Sequence, residues 1–189
     1  VEEEYGFSPE DMLSTSFFNA KVEKFYRFYK KEILGMEMHS TAAYDALLKL
    51  QDQGKLSAVI CQNFHGIPQN VHLKNVIDLN GNIKINQCPH CDKAFDIQYI
   101  ANAKGIPQCD HCKMAIRPGI RLLGERVDSE LMTQAAIACD GADILLILGK
   151  NMYNDRLEYT TALEREQLKV LFSKNEFECN GKVDFIIRD

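Results

Sequence analysis

Four of the seven cysteines carry the plainest chemistry in this sequence. Cys88-Pro-His-Cys91 and Cys109-Asp-His-Cys112 are two Cys-x2-Cys pairs with 17 residues between them. That spacing belongs to a four-thiolate zinc site. Each pair offers two soft sulfur ligands from one tight turn, and zinc favours four such ligands in a tetrahedron. Disulfides would suit a secreted chain, but Cys61, Cys139 and Cys179 stand in apolar or helical contexts and read as reduced, cytoplasmic thiols. A redox Cys-x-x-Cys would account for one pair and not naturally for two. We therefore expect a structural zinc on Cys88, Cys91, Cys109 and Cys112, with His90 and His111 as exposed turn residues. Four thiolates close the coordination sphere, so this metal holds structure and identifies no reaction.

Two loops follow apolar runs and form the second group. Gln62-Asn-Phe-His-Gly-Ile-Pro-Gln69 comes directly after a run ending at Cys61, and Gly149-Lys-Asn-Met152 comes after Leu148. In open parallel sheets, ligands bind in loops at the carboxyl ends of strands. Amide, imidazole and glycine together suit hydrogen bonding to a polar ligand close to the backbone. The same residues also make a plain strand-to-helix connection, and chemistry alone does not choose between the two.

The elements that must position these residues alternate helix and strand. Ser8-Pro9-Glu10-Asp11 is a helix start, with a capping hydroxyl, a first-turn proline and acids at the positive dipole end. Val22, Phe25, Tyr26, Tyr29 and Ile33 recur at helical spacing and read as core. Ala43 to Gln53 reads as a second helix, with Leu47, Leu48 and Leu50 inward and Gly54 as its stop. Leu56 to Cys61 reads as a strand. Between the cysteine pairs, Ala94 to Ile100 and then Gly105 to Gln108 read as a strand and a turn, as in a zinc ribbon. Asp128-Ser129 opens a helix ending near Gly141, and Ile144 to Leu148 is a fully apolar strand of the buried parallel type. A helix-like segment from Asn154 to Gln167 precedes strands at Lys169 to Phe172 and Val183 to Ile187. The expected fold is α/β, a Rossmann-like parallel sheet with helices on both faces and an inserted small zinc-ribbon module. Residues 1–84 and 121–189 would form the Rossmann-like domain and 85–120 the zinc ribbon.

Composition narrows the partners. A chain of 189 residues, 46% hydrophobic and 26% charged, can bury a core. Its 22 basic against 27 acidic residues give a net charge of −5, which argues against direct nucleic-acid binding. The longest aliphatic run, Ile144 to Leu148, is far short of the ~20 residues of a membrane span, and no secretory signal opens the chain. A cytoplasmic protein without membrane attachment is expected.

The order of motifs resembles the sirtuin family. It runs through Gly54-Lys55-Leu56, Val59-Ile60-Cys61-Gln62-Asn63-Phe64-His65-Gly66 and Val76-Ile77-Asp78-Leu79-Asn80-Gly81-Asn82-Ile83. The two cysteine pairs follow, then Arg117-Pro118, Leu123-Gly124-Glu125, Ala142 to Gly149, and Val183 to Ile187. Each motif alone is weak; their order over nearly the whole chain is specific. The resemblance implies a protein of the NAD-dependent lysine deacylase family, some of whose members transfer ADP-ribose. It implies NAD as cofactor beside the structural zinc, and an acyl-lysine or ADP-ribose-acceptor protein as partner.

Carried over residue by residue, Gln62 and Asn63 match the family's pair beside the nicotinamide ribose. His65 stands where the family has an aspartate for the nicotinamide carboxamide. Asn80 stands at the family's general-base histidine, and an amide does not titrate near neutral pH. Ile120 and Arg121 fall where the acyl-lysine channel is lined, and Arg121 adds a charge there. Gly149, Lys150 and Asn151 replace the family's Gly-Thr-Ser on the adenosine side, and Ser173 matches its next contact. The resemblance begins after the glycine-rich Gly-Ala-Gly-x-Ser loop and the Asp-Phe-Arg segment. The first strand and its phosphate loop are thus expected to be missing, and no Gly-x-Gly-x-x-Gly replaces them. The expectation is a divergent sirtuin with little or no deacetylase activity that binds NAD or ADP-ribose. The alternative is an ADP-ribosyltransferase or deacylase with altered catalytic residues.

Overall fold

The computed structural model describes residues 2–149, 167–173 and 183–188. The chain divides into two units, Val1–Asp128 and Ser129–Asp189.

The first unit begins with short helices whose ends are written in the sequence. Helix α1 is Glu2–Tyr5, and α2, Pro9–Met12, is capped by Ser8, whose hydroxyl accepts the Asp11 amide at 3.0 Å. The expected helix from Ser8 stops after one turn, because Ser14 caps a new helix, α3 (Thr15–Ala20), by accepting the Phe17 amide. Helix α4 (Val22–Phe28) runs on as a π-helical turn over Tyr29–Leu34. Of the expected stripe, Phe25, Tyr26, Tyr29 and Ile33 are buried and Val22 is half-buried; Phe28, which the spacing does not include, is buried beside them. The rings of Phe25, Tyr26 and Tyr29 meet one another edge-on or stacked, and Phe28 meets Tyr5 edge-on. They share one core with Phe95, Ile100, Cys88, Cys109 and Ile116 of the cysteine-bearing segment. Tyr26 donates its hydroxyl to the Ile116 carbonyl, and Lys30 Nζ donates to the carbonyls of Ala103 and Gly105.

Helix α5 (Ala42–Asp52) ends where expected. Gly54 takes φ +67°, and the amides of Gly54 and Lys55 return to the carbonyls of Gln51 and Leu50. Strand β1 (Val59–Cys61) then pairs in parallel with β2 (Val76–Asp78), in register Cys61 to Asp78, with α6 (Ile67–Asn70) between them. The strand expected from Leu56 is confined to its last three residues.

In the cysteine-bearing segment, β3 (Asn86–Gln87) pairs antiparallel with β4 (Ala94–Phe95). The expected strand through Ile100 is not formed. Residues Ile97–Asn102 are a helix, α7, because Asp96 caps it, accepting the Tyr99 amide at 2.7 Å. Ile97 and Ile100 then share a face toward the core.

The second unit holds α8 (Ser129–Asp140) and a parallel sheet in the order β5 (Ile144–Leu148), β6 (Leu168–Phe172), β7 (Phe185–Ile187). The parallel pairing agrees with the expected α/β class. Most of the helix-like segment read from Asn154 lies outside the described residues. No helix among the described residues is long and apolar enough to cross a membrane.

Candidate functional site

The four cysteines converge. Cys88, Cys91, Cys109 and Cys112 bring their sulfurs within 4.8 Å of one another, with Cys88 to Cys112 at 3.2 Å and Cys91 to Cys109 at 3.6 Å. A tetrahedron with Zn–S near 2.3 Å needs sulfurs about 3.8 Å apart, so this cage fits zinc. The two pairs are built alike. The Cys88 amide donates to Lys93 O and the Asp92 amide to Cys88 O; the Cys109 amide donates to Met114 O and the Lys113 amide to Cys109 O. Asp92 and Lys113 both take a left-handed φ, 56° and 62°, to close their turns. Lys93 ties one turn to the other through Asp110 at 2.6 Å. His90 and His111 are exposed, as expected of turn residues.

The thiols are electrostatically unequal. At Cys88, burial opposes ionisation but is outweighed by the His90 and Cys91 amides and the Cys112 thiol, which bring it down to about 6. Cys109 is lowered in the same way, with burial overcome by the Cys112 and His111 amides. Cys112, bonded to the Cys88 sulfur and half-buried, is pushed up to about 12. Cys91 is raised: the Lys93 amide lowers it, but burial and its neighbouring thiols outweigh that.

A second cluster lies at the carboxyl ends of β1 and β2. Asn63 turns its side chain back on its own loop: Oδ1 accepts the His65 amide and His65 Nδ1, both at 2.8 Å. Nδ1 is thereby a donor, which leaves Nε2 with the lone pair, buried and without a partner among the described residues. Burial lowers the His65 pKa, and its ring stacks on Phe64 at 4.7 Å. The Cys61 thiol donates to Asn63 O at 3.1 Å, and burial pushes that thiol up to about 11, so it is inert. Asp78 Oδ2 accepts from Gln69 Nε2 at 2.6 Å and Asn82 Nδ2 at 3.1 Å; burial raises its pKa against those two bonds.

Asn80 joins the loop after β1 to the chain leaving the cysteine cage. Its Nδ2 donates to Gln62 O at 2.5 Å, and its Oδ1 accepts Arg121 Nε at 3.2 Å and Nη2 at 3.1 Å. Two glycines allow this approach. A Cβ on Gly81, which takes φ +74°, would lie 2.2 Å from Gly119 O, and one on Gly119 would lie 1.4 Å from Ile85 O. The backbone is closed there by the Asn82 amide on Gly119 O and the Arg121 amide on Asn80 O, both 2.8 Å.

The structure thus brings Gln62, Asn63, His65 and Asn80 together in the first unit. Gly149 and Ser173 belong to the second: Gly149 takes φ +120° and donates to Phe172 O, while buried Ser173 donates its amide to Ile187 O. Lys150, Asn151 and Cys179 lie outside the described residues. Gln69, at the end of the loop after Cys61, and Asp78 and Asn82, inside the motif around Asn80, carry no role assigned from the sequence, and only the structure shows that Asp78 bonds to the other two.

The sequence model of the Sir2 family matches residues 2–153. The chain is 32% identical over 188 residues to an NAD-dependent protein deacetylase of Clostridium perfringens, covering 97% of this chain and 75% of that protein. It is 33% identical over 186 residues to one from Clostridium tetani, covering 98% and 75%. Among solved structures, Sir2Tm bound to a propionylated peptide aligns with a TM-score of 0.85 at 26% identity, over 98% of this chain and 82% of that one. A Sir2 bound to an acetylated peptide aligns with a TM-score of 0.84 over the same shares, at 24% identity, and shows the shared fold. The fold is the Rossmann-like α/β fold of those proteins, with a four-cysteine metal site.

Proposed function

The chain belongs to the Sir2 family of NAD-dependent protein deacylases, and from that premise we propose that it binds NAD or ADP-ribose but deacetylates poorly. The observation that carries this reading is the state of Asn80. Its amide oxygen and nitrogen are both spent on neighbours, and neither can take a proton from a ribose hydroxyl at neutral pH. A general base typically contributes about 10²–10⁴-fold to rate, so deacetylation of an acetyl-lysine peptide should sit near background.

NAD, when bound, supplies an electrophilic ribose carbon with nicotinamide as leaving group. Around it, Gln62 and Asn63 would face the ribose. The lone pair on His65 Nε2 supports a contact from a ligand N–H, such as that of a carboxamide. The imidazole would thus keep one of the acceptors that a carboxylate offers. Gly149, Lys150, Asn151 and Ser173 would serve the adenosine end. Residues 85–120 act as the zinc module and 1–84 with 121–189 as the Rossmann-like domain. The reduced thiols suit a cytoplasmic protein, and the partner is a protein bearing acyl-lysine, as the peptide complexes of its structural relatives suggest. ADP-ribosyl transfer to an acceptor protein is the second reading, favoured by the same untitratable Asn80, since loss of nicotinamide depends on binding strain more than on a base.

Calorimetry with NAD and ADP-ribose, beside a deacetylation assay, tests the proposal. Weak binding with background turnover is expected. Asn63→Ala removes the acceptor that orders His65; the loss of one net hydrogen bond, about 1 kcal/mol, should weaken binding about fivefold. Robust deacetylation, or binding indifferent to Asn63→Ala, refutes the reading.

A further inference from the structure

We propose that Arg121 is a positioning residue that locks Asn80 and withholds basicity from position 80, so that a working base there requires changing both residues. This rests on the reading of position 80 given above. The guanidinium forks Nε and Nη2 onto the single oxygen of Asn80, while Nη1 donates to Glu125 O at 2.5 Å on its other side. An amide oxygen suits that fork: it offers two lone pairs, carries no charge and cannot be protonated near neutral pH. The Asn80 nitrogen meanwhile holds Gln62 O, so the pair joins the loop after β1 to the segment leaving the zinc module.

The backbone keeps the two residues opposed. Gly81 and Gly119 pack without room for a Cβ, and the Arg121 amide donates to Asn80 O. Position 80 therefore cannot swing away from the guanidinium without breaking that ladder. Among the described residues, the neighbouring charges do not cancel it. The Glu125 carboxylate is taken by Arg117 and by the Leu122 amide, and the Asp78 carboxylate of β2 is turned to Gln69 and Asn82. His65, in the loop after β1, is bonded to Asn63 and adds no anion.

An imidazole at position 80 would meet Arg121 with one lone pair. Its protonated form would face a fixed cation at hydrogen-bonding distance, and a like charge disfavours protonation. A histidine restored alone would then be a poor base. The experiment is an NMR pH titration of Asn80→His and of the double variant Asn80→His, Arg121→Met. In the single variant the new imidazole should titrate about one unit or more below the ordinary ~6.5, and in the double variant it should return toward that value. Equal titration in both overturns the lock. If the imidazole is not tolerated, Asn80→Asp replaces it: its carboxyl should stay ionised to lower pH with Arg121 present than with Arg121→Met, and no difference again overturns the proposal. A deacetylation assay on the same proteins keeps the two ideas apart. Restored titration in the double variant without deacetylation supports the lock and counts against position 80 as the site of the base.

Discussion

Serine substitution of the four cysteines should be graded by their position within the pair, not by which pair they belong to. Every Cys→Ser change removes one soft ligand, so all four variants should bind zinc more weakly. The structure adds a second cost. The amides of His90 and Cys91 favour the thiolate at Cys88, and those of His111 and Cys112 at Cys109, whereas at Cys91 and Cys112 the amide that does so is that of Lys93 and of Met114. Serine offers those amides a neutral hydroxyl on a shorter stem in place of a thiolate, and an outer-shell partner typically counts for about 10–100-fold in metal affinity. Cys88 and Cys109 are also fully buried in the aromatic core, while Cys91 and Cys112 are partly open. Cys88→Ser and Cys109→Ser should therefore bind zinc about tenfold or more weaker than Cys91→Ser and Cys112→Ser. Competition with a chromophoric chelator reads the order directly, and the unmodified chain should hold one zinc. If the affinities group by pair, 88 with 91 and 109 with 112, the amide argument is wrong. If zinc is absent from the unmodified chain, the site itself is wrong.

Two further outcomes follow from backbone and charge. Gly119→Ala should cost on the order of 3 kcal/mol or more, because its Cβ would fall 1.4 Å from Ile85 O; Gly54→Ala, with open space but φ +67°, should cost about 1–2 kcal/mol. Similar denaturation midpoints for the two would refute the close approach at Gly119. At His65, burial lowers the folded pKa below 6.5, so the unfolded chain takes the proton first. Its contribution is complete above about pH 6.5 and is lost as pH falls through the folded pKa, so His65→Gln should flatten the acid limb of the stability profile. An unchanged limb would show that the ring is not buried as described.

The zinc ligands were legible because four residues of one type at fixed spacing have few other uses. The aromatic stripe of α4 and the stop at Gly54 were legible because a helical period and a left-handed glycine are local signals. Helix α7 was not. Phe95, Ile97 and Tyr99 alternate with polar residues and mimic a strand, but the Asp96 cap decides for a helix and puts Ile97 and Ile100 on one face. Strand β2 is three residues long, too short to show any period. The Asn80–Arg121 contact joins positions 41 apart, and nothing local marks it. The resemblance flagged both residues as departures from a family pattern, yet only the structure showed that they touch.

That contact bears on how far fold likeness carries function. The geometry around position 80 is held by backbone: a left-handed Gly81, the close approach of Gly119, and amides of Asn82 and Arg121 bonded across to the facing chain. None of these bonds depends on the side chain at 80. The fold therefore exerts little pressure for a histidine there, and the residue is free to change with the chemistry asked of it. What does constrain it is its partner. An amide at 80 satisfies a guanidinium at 121, and a titrating base would be opposed by it. With both present, a change at either position meets a mismatch in the other, so on the proposed reading the character of position 80 is held by a pair of residues and not by a single substitution.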